Sequence, residues 1–242
     1  MQAQKGRASR GGDGRHKKAA AKARSPAGRR SRGNGAGLSR EAIVDAALDL
    51  IDREGLDAVS FRRLGEELGC EAMSLYHYLP SKAHLMDAVI DQVIGGLEVP
   101  PPGSDWIARV RQAAWNYRAM ALGHPRLYPL IAVHRLNTRV GVRKLDQVLG
   151  LFREGGFDDA TAARLFRDFG YYITGAALDE TAGYAKGPSA AEPVSETEIA
   201  RHCPNLAASA PYFKPQHFEE TFRQGLELLL EGMARLRRSK AR

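Results

Sequence analysis

Between positions 60 and 82 the chain gathers side chains suited to holding a nucleic acid. Arg62, Arg63 and Lys82 are cations for phosphate oxygens, Ser60, Ser74, Tyr76 and Tyr78 carry hydroxyls, and His77 adds a ring nitrogen. Backbone contacts of this kind fix register on a duplex, and sequence is read by groups that reach base edges. Ala72 and Met73, beside Ser74, can touch a thymine methyl but cannot form a bidentate pair with a base. Ser74, Arg62 and His77 carry the hydrogen-bonding groups that base readout would need, and for Arg62 a guanine edge and a phosphate are both open.

Enzymatic chemistry finds no comparable set. There is no GxSxG, HExxH or Walker loop, and no histidine pair at helical metal spacing. Asp158-Asp159 opens a helix, where capping explains it. Asp179-Glu180 are adjacent, and adjacent helical residues do not face each other. The two cysteines, Cys70 and Cys203, form no CxxC pair, which excludes a disulfide framework and a thiolate zinc site. Neither a cofactor nor a metal is expected, and the chain reads as a binding protein in a reducing cytoplasm. No apolar run approaches membrane-spanning length, and no secretory signal opens the chain.

These residues need elements to position them. From Leu38 onward the apolar pattern is helical, as at Ile43, Ala46, Ala47, Leu50 and Ile51. Ser39 and Ser60 are suited to N-caps, Gly55 to a left-handed helix end, and Gly69 to the stop of a helix over 61–68. A short helix over 72–78 follows, then a fourth over 81–97 that ends at Gly95-Gly96 and Pro100-Pro101-Pro102. Two helices joined by a tight turn, 60–68 and 72–78, make a helix-turn-helix. The spacing predicts further helices over 105–122, 125–135, 139–155, 158–184 and 216–238. Between the last two, 186–215 carries five prolines and reads as a mobile connection, with room for one short helix capped by Ser195. No alternating strand pattern of useful length occurs, so the fold class is all-α. The expected domains are a basic tail over 1–37, a helix-turn-helix domain over 38–98 and a larger helical domain over 104–238.

The net charge of +8 divides unevenly. Residues 1–37 hold eleven Lys and Arg against Asp13 alone, a charge of +10, whereas the remaining chain carries −2. Without one Leu, Ile, Val, Phe, Tyr or Trp, the tail cannot bury enough surface to offset its ordering entropy, and disorder is expected. It suits nonspecific contact with a polyanion through counterion release. A nonspecific architectural DNA-binding protein driven by this tail is the alternative function. The −2 body, which must rely on local contacts, argues against it.

Residues 39–97, through "AALDLIDREGLDAVSFRRLGEELGCEAMSLYHYLPSKAHLMDAVI", resemble the DNA-binding domain of the TetR family of bacterial repressors. Similarity to the tetracycline repressor branch continues through "GFDDATAARLFRDFGYYITGAALDE" to about residue 185. The resemblance implies a short helix in the major groove, with Ala72, Met73 and Ser74 at base edges and Tyr76, Tyr78 and Lys82 on the backbone. Phe61 stands where the family has a small hydroxyl residue. The implied partners are a double-stranded operator, a second copy of the chain and a small-molecule effector. Helices 158–184 and 216–238 of two subunits would form a two-fold four-helix interface. Trp115, Tyr117, Met120, His134, Phe152, Phe169, Tyr172 and Asp179 are the candidate ligand-binding residues. His134 and Asp179 align with residues that handle magnesium in a tetracycline complex. Glu98 and Ala113, however, stand where that branch has His and Asn, so the resemblance implies a different, flat or aromatic effector. By the same resemblance, the effector moves the 81–97 helix and takes two reading heads out of the ~34 Å groove spacing.

Overall fold

The computed structural model describes residues 38–103, 105–182 and 190–240; the basic tail read over 1–37 lies outside them. Among the described residues every regular element is a helix, and no helix is long and apolar enough to cross a membrane. Four helices form the N-terminal part: α1 (Arg40–Glu54), α2 (Phe61–Leu68), α3 (Ala72–Tyr76) and α4 (Lys82–Gly95). Then come α5 (Trp106–Gly123), α6 (Tyr128–Val133), α7 (Arg139–Glu154) and α8 (Asp159–Ala182). The C-terminal part holds α9 (Glu196–His202), α10 (Pro204–Ser209) and α11 (Phe218–Lys240).

Local chemistry sets the helix starts. The hydroxyls of Ser39, Ser60 and Ser81 accept from the N–H groups of Ala42, Arg63 and His84, so each satisfies an otherwise orphaned donor. Asp158 caps α8 by accepting from Thr161 N–H at 2.8 Å, the role its sequence position suggests. Gly55 departs from expectation. Its φ of 96° and ψ of 174° lie in the glycine-only extended region instead of the left-handed helical one. It redirects the chain into a single 3-10 turn, Leu56–Ala58, before α2.

Three other boundaries are corrected. The short helix read over 72–78 closes at Tyr76, because His77 and Tyr78 already form the turn into Pro80. The helix read over 125–135 is confined to Tyr128–Val133. The 186–215 connection holds more helix than the one short element read there. Beyond α9, capped by Ser195, prolines in the first two positions open α10 and two 3-10 turns.

Two apolar clusters organise the packing. The first unites α1 to α4 through residues such as Ile43, Leu50, Leu64, Leu75 and Val89, and extends into Ala121, Leu127, Tyr128, Ile131 and Ala177. The second joins α5, α7, α8 and α11 around Trp106, Phe152, Phe169, Phe222 and Leu226. Within it, Arg118 meets Glu180 at 2.7 Å with side chains only 13% and 6% exposed. The same guanidinium lies over the rings of Trp115 and Phe222, at 5.5 and 5.4 Å. Glu180 is therefore the buried counter-ion of Arg118. Replacing it leaves a buried cation unpaired, so Glu180→Ala is expected to lose about 3–5 kcal/mol in urea unfolding. A loss under about 1 kcal/mol, the scale of an exposed pair, would show that solvent already screens the contact.

Candidate functional site

The helix-turn-helix depends on how closely α3 approaches α2. A Cβ on Gly65 would stand 2.7 Å from the Cys70 carbonyl oxygen and 3.2 Å from Ala72 N, so only glycine fits there. Gly69 closes α2 in the left-handed conformation, at φ 68° and ψ 33°. Leu75 and Leu79 anchor α3 and the turn after it in the core. Opposite them Met73, Tyr76 and Tyr78 are 69%, 42% and 41% exposed, with His77 also at the surface and Ser74 half-buried. Ala72 is half-buried against the core. A helix this short contributes little to packing, so its composition is free to serve an outer surface.

Phe61, the departure from the family pattern, has a structural role. It is buried, and its ring stacks on Tyr76 with centroids 4.3 Å apart. The stack holds the Tyr76 ring against α2 and restricts where its hydroxyl can go. Ser60 spends its hydroxyl on the N-cap of α2. Arg63 is held by Glu54 at 3.1 Å and Glu67 at 3.7 Å, and Glu67 also binds Arg53 at 2.7 Å. Arg62 extends into solvent with its side chain 89% exposed and one loose contact, 3.3 Å to Glu66. Lys82 is exposed in the first turn of α4. Of the cations read from the sequence, Arg62 is thus much freer to reach a base than Arg63.

A cavity of about 210 Å³ lies between α4, α5, α6, α7 and α8. Ile94, Leu97, Ile131, Leu136, Val148, Phe166 and Ile173 make its wall largely apolar, and Glu98, Tyr117, His134, Lys144 and Thr174 supply polar groups. Behind the wall, buried Tyr128 donates to the Tyr117 hydroxyl at 3.0 Å, and Tyr117 lies 3.4 Å from the Thr174 hydroxyl. Burial pushes the Tyr128 phenol far above its ordinary pKa, which keeps it a donor.

Three candidate ligand-binding residues, Tyr117, His134 and Phe169, meet on this wall. The other five stand elsewhere. Phe152 is fully buried in the second cluster, and Trp115 packs edge-on against Phe222 at 4.9 Å. Met120 packs on the first cluster. Tyr172 and Asp179 line a separate open groove between α8 and α11, where the Tyr172 hydroxyl donates to the Phe222 carbonyl. Glu98 and Ala113, noted only as departures from the tetracycline-binding pattern, both face the cavity. Sequence reasoning favoured aromatics and missed the aliphatic and small liners. Their signal was present in Phe166, Phe169, Gly170, Ile173 and Thr174, which recur at helical spacing on α8.

Residues 43–89 match the family described as bacterial regulatory proteins, tetR family, and residues 99–237 match the tetracyclin repressor-like C-terminal domain. The chain belongs to the TetR family: it is a ligand-responsive, sequence-specific DNA-binding transcriptional regulator. It is 29% identical over 206 residues to the class A tetracycline repressor from transposon 1721 of Escherichia coli, covering 83% of this chain and 92% of that protein. It is 33% identical over 156 residues to the repressor DrrR1 of Streptomyces coeruleorubidus, covering 63% of this chain and 58% of that one. ActR of Streptomyces coelicolor in complex with (S)-DNPA superposes with a TM-score of 0.67 at 30% identity, over 83% of this chain and 98% of that one. ActR also has a structure with actinorhodin.

With only the loose contact to Glu66, the exposed Arg62 guanidinium can be tested by substitution. Arg62→Ala should weaken binding to the recognised duplex by about 10-fold or more, on the ~1–3 kcal/mol scale of a lost base contact, with an unchanged thermal midpoint. A uniform loss on all duplexes, with a shallower salt slope, would make Arg62 a phosphate contact instead.

Proposed function

We propose that this regulator acts as a homodimeric repressor that leaves a pseudo-palindromic operator when a flat or aromatic effector enters the cavity. The observation that carries the reading is the exposed face of α3, held by Gly65 and Leu75 above a rigid core. In this reading Ser74, Met73 and Ala72 meet base edges, Arg62 and His77 add specificity, and Ser60, Arg63, Tyr76, Tyr78 and Lys82 hold or frame the backbone contacts. The ActR complexes with (S)-DNPA and actinorhodin support a small molecule in the corresponding domain. The apolar cavity wall suits a planar, weakly polar compound more than a magnesium chelate.

Dimerisation is supported by the outer surfaces of α8 and α11. On α8 Tyr171 is 65% exposed next to exposed Gly175; on α11 Leu228 is 66% exposed between Thr221, Gly232 and Leu236. Apolar and small residues at this spacing form stripes that a second copy would cover in a four-helix interface. A role as a cytoplasmic regulator without catalysis is consistent with a family whose members regulate transcription.

A footprint on the DNA upstream of the protein's own gene, with excess nonspecific competitor, tests this reading. A protected pseudo-palindrome with half-site centres ~34 Å apart is expected. Leu228→Arg should produce monomers in sedimentation and abolish that protection. Salt-sensitive smearing without a protected site would favour the alternative, an architectural binder driven by the basic tail.

A further inference from the structure

α4 carries three polar contacts on one side, at every fourth residue. Asp87 Oδ1 lies 3.0 Å from His134 Nε2, Asp91 accepts from the Thr138 hydroxyl, and the Gly95 carbonyl accepts from Lys144 Nζ at 3.3 Å. Lys144 continues to the Leu97 carbonyl at 2.6 Å. Positions 87, 91 and 95 lie one above another on a helix, so the three contacts form a ladder along a single face. All the outer partners come from one stretch, 134–144, that runs from the end of α6 into α7.

Two of those partners have a second surface. His134 and Lys144 line the cavity, as does Leu136 between them, while Thr138 caps α7 by accepting from Gly141 N–H at 3.0 Å. The stretch that forms part of the cavity wall is therefore the stretch that grips α4. The other end of the same region reaches the reading head as well. His124 Nδ1 lies 2.9 Å from Asp52, and Arg126 donates to the carbonyls of Asp52 and Arg53 at the end of α1.

We propose that Asp87 and Asp91 are positioning residues that set the angle of the reading head against the cavity-bearing body, through His134 and Thr138. Resting on the function proposed above, they are the points at which occupancy of the cavity is passed to α4. Neither aspartate touches the base-reading surface of α3; they act through the helix that carries it. A group that engages His134 or Lys144 inside the cavity competes with the contact each makes to α4, which gives an effector a differential interaction with two head angles.

The test compares two charge-matched pairs. Asp87→Asn with Asp91→Asn keeps an acceptor for His134 and Thr138, whereas Asp87→Ala with Asp91→Ala removes it. Both lose the same charge, so any general electrostatic effect on DNA cancels. Spin labels at Asp57→Cys in the head and Arg153→Cys in the body, in a Cys70→Ala, Cys203→Ala background diluted with unlabelled protein, report the head-to-body distance by pulsed electron resonance. The alanine pair should broaden that distribution and bind the duplex selected by wild-type protein from a random library about 10-fold more weakly than the asparagine pair. The asparagine pair should keep the wild-type distribution. Identical distributions and affinities for the two pairs would overturn the proposal, as would a loss of affinity with no broadening. Failure of wild-type protein to enrich any duplex would strike the function on which the proposal rests, and the distances would still decide whether the aspartates set the head.

Discussion

The constraint on which the rest of the molecule depends is the double burial of α4. Leu85, Ala88, Val89, Ile90, Val93 and Ile94 are all buried, leaving this helix apolar around most of its circumference. At about 1.5–3 kcal/mol per buried side chain, an upper estimate, apolar packing far outweighs the handful of polar contacts α4 makes. Those hydrogen bonds contribute about 0.5–1.5 kcal/mol each and so cannot be the reason the helix is there. They fix its direction. The hydrophobic driving force is not directional, so polar contacts add a directional preference that buried area alone does not supply.

This division of labour joins a stable reading head to the cavity-bearing body through a single helix. Ile94 and Leu97 belong to the same stretch of chain as the head's core and also form part of the cavity wall. Gln92 donates to Asp45 of α1 at 2.7 Å, tying α4 to the rest of the head. The head and α4 are thus tied into one unit. Its own core, closed by Leu75, Leu79 and the Phe61–Tyr76 stack, need not open when α4 shifts.

Much of the head was legible in the sequence because its signals are local. Ser39 and Ser60 act on the backbone three residues ahead, and Gly69 is demanded by one turn. The cavity was less legible because it is assembled from five helices. Phe152 and Trp115 are aromatics at helical spacing just as Phe169 is, and only the packing of α7 and α11 decides which of them faces a void. Aliphatic liners such as Ile131 and Val148 carry no mark that separates them from core. The α4 ladder was hidden for another reason: its partners lie 47 residues apart, both from His134 to Asp87 and from Thr138 to Asp91. The 186–215 segment misled in the opposite direction, since prolines there start helices instead of ending them.

The central claim is that the cavity and the DNA-reading surface are coupled through α4. Filling the cavity from the far side tests it without any effector. Ala113 lies on α5, is buried and faces the cavity, and it has no part in the α4 contacts. The measurement is the affinity of Ala113→Phe protein for the footprinted duplex, beside its thermal midpoint. The account predicts a folded dimer whose affinity for that duplex falls about 5-fold or more, as an occupied cavity biases the head. A folded Ala113→Phe protein that binds the duplex as tightly as wild type would contradict it.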